Sequence, residues 1–583
     1  MPLWIIRIAV LFGLLAQEIT AANPPQAVAA KPGEAALDHI TLAIDPKVLN
    51  PVRQKGVTGK LTLTAFYADG TQRQIPCSQA MLVAKTKQAS GNVDVVAIVG
   101  DRVVPRKGGV STVEAALIDG GRRLAASADV VVAPYYRDYH QTLVLKLFLG
   151  MEGDPVERLA NEPLFQKPHD VICTFEEALE VIRKADNLTR GMPKIIYLVG
   201  WQKGGHDHGY PAWNEVNPRL KRARDTTALE SLRWLIRSAR KFNTTVSLHI
   251  NMVDAYRQSP LWEEYVAKDC FAKDSEGKLF SGGIQMKGEE MYNVVYPREW
   301  AEGLAQRRID ALIRMIPELQ EGHTIHVDVF IAQREGGKPI SEWHAKPENG
   351  GLTPDKYVET QRKIFYYWRE RGFDVTGEGT GWAHPGGEHF VGLQPMSWWY
   401  SWDPMSIPEC LGARGRTDRG GDGDFRFGSS MHGEEIWQKD KVNMPGFLGM
   451  FCRTTLPWYY LSRLERQRFA NEALYYSDGV VARTEDGRKI IRKGDFILRE
   501  NDDLFVPALW NKQKEIIAYS REGYENRSWR LPDEWSAVRS VDLYRITLQG
   551  SMPLKKGVPI KEATLVLSLE KEEAISILPA KGF

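Results

Sequence analysis

The chain has 583 residues with 43% hydrophobic content, enough for about two to four domains with real cores, which excludes a disordered protein. Its 76 basic and 74 acidic residues leave a net charge of +2. There is no basic stripe interleaved with aromatics, so nucleic acid is not an expected partner.

Residues 1–22 read as a secretory signal: Arg7, an apolar run Ile8 to Leu15, and small residues at Thr20-Ala21-Ala22. Export is expected, ending in the periplasm, at the cell surface or in the medium. The apolar run is too short for a membrane span, no cysteine follows it to take a lipid, and no other stretch reads as a transmembrane segment once the signal is removed. Residues 23–36 form a Pro/Ala-rich linker. Short alternating runs with turn signals over 37–135 predict an N-terminal β-sandwich, read as a support rather than a binding module.

From residue 136 to 480 helical and strand patterns alternate, the rhythm of a parallel sheet. Helix is predicted over 174–186, 227–243, 299–318 and 354–371, and strand over 194–201, 245–251, 323–330 and 373–378. A further strand region is expected over 391–400, and Leu461 to Tyr476 reads as a last helix. Residues 481–583 return to short alternating strands and predict a C-terminal β-sandwich. The expected fold is multidomain α/β: a central (β/α)8-type barrel flanked by two β-sandwiches. Five cysteines, Cys77, Cys173, Cys270, Cys410 and Cys452, show no metal-type spacing. Buried thiols are expected, with one disulfide left open.

Two acids stand out in this pattern. Asp328 ends the run H-T-I-H-V-D, and Glu378 ends R-G-F-D-V-T-G-E. Both fall at the C-terminal ends of predicted neighbouring parallel strands, where barrels carry their chemistry. Two carboxylates facing one cleft suit glycosidic cleavage, one ionised and one protonated. Acids at strand ends can equally cap a helix or pair with an arginine. No strand-turn-helix G-x-S-x-G element is present, so a serine nucleophile is not supported.

Around these acids, Gly204-Gly205-His206-Asp207-His208-Gly209-Tyr210 should form a loop after a strand. Sugar binding, metal binding and a purely structural loop are all open for it, although three adjacent ligands seldom converge on one ion. His249 and Asn251 alternate on the next strand, Asp254 follows, and His326 shares a face with Asp328. Gln394, Trp398 and Trp399 are candidate cleft residues with Glu388, His389 and Asp403, since flat aromatics stack on sugar rings. The loop 333–353, with Trp343 and His344, reads as a lid or an aglycone contact. Asp418, Asp422 and Asp424 could hold a structural calcium ion, but their spacing is not that of an EF-hand and suits a solvated turn.

The segments Y-L-V-G-W-Q-K-G-G-H-D-H-G-Y-P-A-W (197–213), N-P-R-L (217–220), V-S-L-H-I-N-M-V-D-A-Y (246–256), H-V-D-V-F (326–330), R-G-F-D-V-T-G-E (371–378) and L-P-W-Y-Y (456–460) together resemble the endo-α-N-acetylgalactosaminidase family of glycoside hydrolases and its exo-acting relatives. The resemblance implies a catalytic barrel and a retaining mechanism on α-linked GalNAc of Ser/Thr O-glycans. It implies Asp328 as nucleophile and Glu378 as general acid/base. His206 and Asp207, and more weakly His249 and Asp254, resemble the sugar-recognition positions. No cofactor is implied as required, and the expected partner is an O-glycosylated glycoprotein or glycopeptide. The segment between the two acids is longer than the family pattern, and Val375-Thr376-Gly377 replaces the usual apolar pair before Glu378. Three rival readings are a retaining α-glycosidase of different sugar specificity, a non-catalytic glycan-binding surface protein and a purely structural exported protein.

Overall fold

A computed structural model describes residues 35–49, 56–88, 94–106, 109–132, 136–137, 141–151, 171–206, 208–284, 289–328, 330, 340–378, 393–396, 431–432, 444–464, 466–471 and 473–580. The chain divides into two compact units, one ending at Val132 and one running from Ala133 to the C-terminus with two short segments from before it.

The first unit is all β. One sheet runs Leu37–Asp45, Gly59–Tyr67, Arg102–Pro105, Val96–Val99, with Gln72–Ile75 on the second of these strands. The other runs Val48–Leu49, Arg122–Val132, Gly109–Asp119, Met81–Gln88. Alternation sets which side faces inward: Leu61, Leu63 and Ala65 are buried while their neighbours reach solvent.

The second unit is built on a seven-stranded parallel sheet. Its strands are β1 (Leu143–Phe148), β2 (Lys194–Val199), β3 (Thr244–Asn251), β4 (Thr324–Asp328), β5 (Asp374–Glu378), β6 (Leu393–Met396) and β7 (Met431–His432). The spatial order is β6-β5-β4-β3-β2-β1-β7, so six strands follow chain order and the last lies beside the first. Helices α1 (Phe175–Leu188), α2 (Ala228–Ala239), α3 (Leu304–Met315) and α4 (Pro354–Glu370) connect the first five strands. Both α1 and α2 open on a capping box, Thr174 with Glu177 and Thr227 with Glu230. Thr174→Ala is expected to cost about 1 kcal/mol, read as a lower denaturant midpoint at unchanged slope.

Strand parity separates two chemistries. Leu145, Leu147, Ile196, Leu198, Leu248, Ile250, Ile325, Val327 and Val375 share one core with the helices. The opposite parity holds the buried polar residues Lys146, Tyr197, Ser247, His249, Thr324, His326, Asp328 and Thr376. Tyr197 and Thr324 hydroxyls lie 2.6 Å apart, and Ser247 Oγ donates to the Thr324 carbonyl at 2.6 Å. A buried polar face of this kind is stable only when its groups find partners. At the opposite end of the strands, Asp374 accepts the backbone N–H groups of Tyr136 and Arg137 at 2.9 and 3.0 Å.

Two expected helices differ. Residues 299–318 are not one helix: α3 is flanked by Tyr296–Ala301 and Glu318–Gly322. The breaks fall at Gly303, which takes a φ of 71°, and at Pro317, which has no N–H to donate. The helix expected over 461–476 ends at Ser462, and an antiparallel hairpin, Arg466–Ala470 with Ala473–Tyr476, follows. Asn471 turns it with φ 51°. That hairpin opens a ten-stranded antiparallel sheet, faced by the pair Tyr524–Arg530 and Thr564–Leu569. Phe505 and Trp529 stack across the two at 5.0 Å. The core of this sheet is continuous with that of the parallel sheet. Arg190 after α1 reaches Glu515 at 2.6 Å, and Asn187 donates to the Leu548 carbonyl at 2.6 Å. Within the second unit, the parallel sheet is thus followed in the chain by an antiparallel one. Cys77, Cys173, Cys270 and Cys452 are buried, as expected, and Cys410 lies outside the described residues.

Candidate active site

The chain leaves β2 through a glycine-dependent turn. Gly205 takes a φ of 81°, and a Cβ there would lie 2.6 Å from the Gly150 carbonyl oxygen. The same carbonyl accepts the His206 N–H at 2.9 Å, so the loop is drawn down onto the exit of β1. This places the His206 ring edge-on to Phe148 at 5.3 Å and to His249 at 5.5 Å. His208 turns elsewhere, with Nε2 3.4 Å from Glu289. His206 and His208, two positions apart, thus take different neighbours. Asp207 lies outside the described residues.

His249, His326 and Thr376 occupy one register row across β3, β4 and β5. The rings of His249 and His326 stack at 5.3 Å. His326 Nδ1 is 2.9 Å from Thr376 Oγ1, and the ring is fully buried. Burial first, then the charge of Lys146 and then His249, hold the His326 pKa well below the ordinary imidazole range, so the ring is neutral. One row nearer the strand ends, Asn251 pairs with Asp328. Asp328 keeps 8% of its surface exposed, and its Oδ1 lies 3.4 Å from His249 Nε2. Donor atoms of His249, His326 and Asp328 all lie within 4.8 Å of one another, a set able to hold a metal ion.

Asp254 is oriented from β3. Asn251 Nδ2 donates to its carboxylate at 2.7 Å, while Asn251 Oδ1 accepts the N–H groups of Val253 and Asp254 at 2.8 and 2.9 Å. Beneath this turn, Arg308 of α3 is ion-paired with Glu299 at 2.7 Å and donates to the carbonyls of Pro211, Asn251 and Met252. Beyond Asp328, Gln361 of α4 donates to the Phe330 carbonyl at 2.6 Å and fixes the path of the chain.

Glu378 ends β5, the strand next to β4. The β4–β5 register runs to Val327 opposite Gly377, one residue short of both acids. The Glu378 side chain lies outside the described residues, as does that of Gln394, whose backbone pairs with Thr376. Trp398, Trp399, Glu388, His389, Asp403, Asp418, Asp422 and Asp424 lie outside them entirely. The described part of the expected lid, 340–353, is anchored rather than open. Ser341 Oγ accepts the Lys273 N–H at 2.9 Å, buried His344 lies 3.1 Å from Asp269, and Lys346 donates to the Ser275 carbonyl at 2.7 Å.

The sequence alone gives Lys146, Thr376 and Arg308 no site role. The signal for the first two is parity: each lies on the polar side of its strand, in register with a neighbour's polar residue. Arg308 carried no such signal, because its partners lie on three separated segments. Among the described residues no helix is long and apolar enough to cross a membrane.

Residues 169–351 match the sequence model of the family described as endo-alpha-N-acetylgalactosaminidase. That span includes His206, His249, Asp254, His326 and Asp328 and ends before Glu378. No curated protein matches the chain. Among solved structures, the alpha-N-acetylgalactosaminidase NagBb from Bifidobacterium bifidum in complex with GalNAc is similar, at 10% identity over 79% of this chain and 92% of that one, with a TM-score of 0.39. The Paenibacillus sp. cycloisomaltooligosaccharide glucanotransferase complexed with cycloisomaltoheptaose gives 10% identity over 94% and 70%, TM-score 0.31. The alpha-amylase of Geobacillus thermoleovorans complexed with acarbose gives 12% over 76% and 99%, TM-score 0.36. At such identities and scores these likenesses do not bear on activity.

Proposed function

Because the chain carries a glycoside hydrolase domain of the endo-α-N-acetylgalactosaminidase family, we propose that it is a retaining α-N-acetylgalactosaminidase. It releases α-linked GalNAc, alone or as Gal-β1,3-GalNAc, from Ser/Thr O-glycans. In this reading the parallel sheet closes into a (β/α)8-type barrel between β6 and β7. The leader at residues 1–22 directs export.

The observation that carries the reading is the placement of Asp328. It sits at the C-terminal end of β4, nearly buried, against His249 and beside the strand that ends in Glu378. A carboxylate on a rigid strand end is held for in-line attack. Asp328 attacks the anomeric carbon while Glu378 gives its proton to the departing glycosidic oxygen. Glu378 then takes a proton from water, which displaces Asp328 and restores the α configuration. His249 orients the nucleophile, and His206 with Asp254 lines the approach to it. Neutral His326 supports His249 from below by ring stacking.

The test is the anomeric form of the first product, followed by NMR on an α-GalNAc aryl glycoside and on its Gal-β1,3-GalNAc counterpart. α-GalNAc or α-configured disaccharide is expected. A β product would replace retention by inversion. Turnover of another α-glycoside alone would move the sugar specificity, and stoichiometric binding without turnover would make the protein a glycan-binding module.

A further inference from the structure

We propose that His249, His326 and Asp328 form a binding site for a zinc-type divalent metal ion, and that a bound ion withdraws Asp328 from glycoside cleavage. The second half rests on the reading of Asp328 as nucleophile. The first half stands on geometry alone.

Three observations carry the site. The donor set is two imidazoles and one carboxylate, converging within 4.8 Å from the ends of adjacent parallel strands. Zinc takes such mixed N/O sets, and three protein ligands leave a fourth position open. The separation of His249 Nε2 and Asp328 Oδ1, 3.4 Å, is long for an N–H···O hydrogen bond. It equals the edge of a tetrahedron whose metal–ligand bonds are about 2.0–2.1 Å. Finally, His326 Nε2 has no hydrogen-bond partner among the described residues although the ring is fully buried. Its other nitrogen is held by Thr376 Oγ1, the outer contact that fixes a metal-binding histidine in orientation.

The donor set also states which ions are excluded. Calcium and magnesium require oxygen-rich shells and gain little from two imidazoles. Lys146 lies close enough for its charge to act on His326, and it works against any cation here. Affinity weaker than the tight binding of a structural zinc is therefore expected. A bound ion engages the same Asp328 carboxylate that attacks the sugar, so metal and substrate compete.

The full chain, stripped with EDTA, is titrated with Zn²⁺ by calorimetry and with Co²⁺ by visible absorption, with Ca²⁺ and Mg²⁺ alongside. One Zn²⁺ per chain is expected, with intense tetrahedral Co²⁺ bands and no binding of the two hard cations. His326→Gln, checked for folding by thermal melting, should weaken zinc binding at least tenfold, and Asp328→Asn should do so as well. Should His326→Gln not fold, Asp328→Asn and the cobalt spectrum of the parent decide. Hydrolysis by the parent should fall with a half-point that matches the calorimetric one and rises with substrate concentration. Absence of zinc binding, octahedral cobalt bands, or undiminished binding by both variants overturns the site. Hydrolysis without zinc binding removes the metal site and leaves the glycosidase reading intact. Zinc binding without any hydrolysis does the reverse.

Discussion

On the proposed reading, Asp328→Ala is expected to lose turnover of an α-GalNAc aryl glycoside by about 10⁴-fold or more, the scale for removal of a covalent nucleophile. The variant should stay folded, because the side chain sits at the end of β4 with part of its surface open and the helix-facing core does not include it. Azide gives the loss a signature that a misfolded protein cannot mimic. A small anion can enter the space left by the carboxylate and attack the anomeric carbon directly, giving a glycosyl azide of β configuration. Glu378→Ala should behave differently. An activated aryl leaving group departs without a proton, so the glycosyl-enzyme still forms and then waits for water that no base activates. Azide should then restore turnover and give the α product. Two variants and one anion thus separate the two roles by stereochemistry. An Asp328→Ala variant that hydrolyses at near the parental rate would reject the assignment, and so would azide products of equal configuration from both variants.

The strands that carry these acids were readable because each is short, apolar on one parity and followed by a glycine or a polar loop. The same alternation places His249 with Asn251, and His326 with Asp328, on shared strand faces. What it could not supply was register between strands. That His249 stands opposite His326, and His326 opposite Thr376, depends on loops and helices of unequal length between them. The convergence of two histidines and an aspartate is therefore not legible in the sequence, whereas His206-Asp207-His208 is, because it is contiguous. The misread helix over 461–476 has a different cause. Its aromatic and leucine residues fit either period over so short a span, and only the positive φ of Asn471 and pairing with the next strand decide for a hairpin. The break at Gly303 is a case where apolar spacing persists across a position that the backbone turns.

Arg308→Met is expected to destabilise the second unit by about 3–5 kcal/mol, the range for removing one member of a buried ion pair. Glu299 has no exposed side-chain surface and would be left with its charge uncompensated. Tyr265 already donates to the same carboxylate at 2.6 Å, and one neutral donor cannot replace a guanidinium. Three carbonyls, of Pro211, Asn251 and Met252, lose their donor in the same step, and Trp213 loses the cation 4.2 Å above its ring. Those carbonyls belong to the loop that follows His206 and to the turn that carries Asp254, so the damage should reach catalysis as well as stability. Denaturant titration should show a lower midpoint, and the surviving folded enzyme should show a raised KM with a smaller change in kcat, because Asp328 is held by other strands. Pairing the change with Glu299→Leu removes the stranded charge and should recover part of the lost stability without restoring KM, since the carbonyls remain without their donor. A double variant no more stable than Arg308→Met would show that the carbonyl contacts, and not the buried charge, dominate.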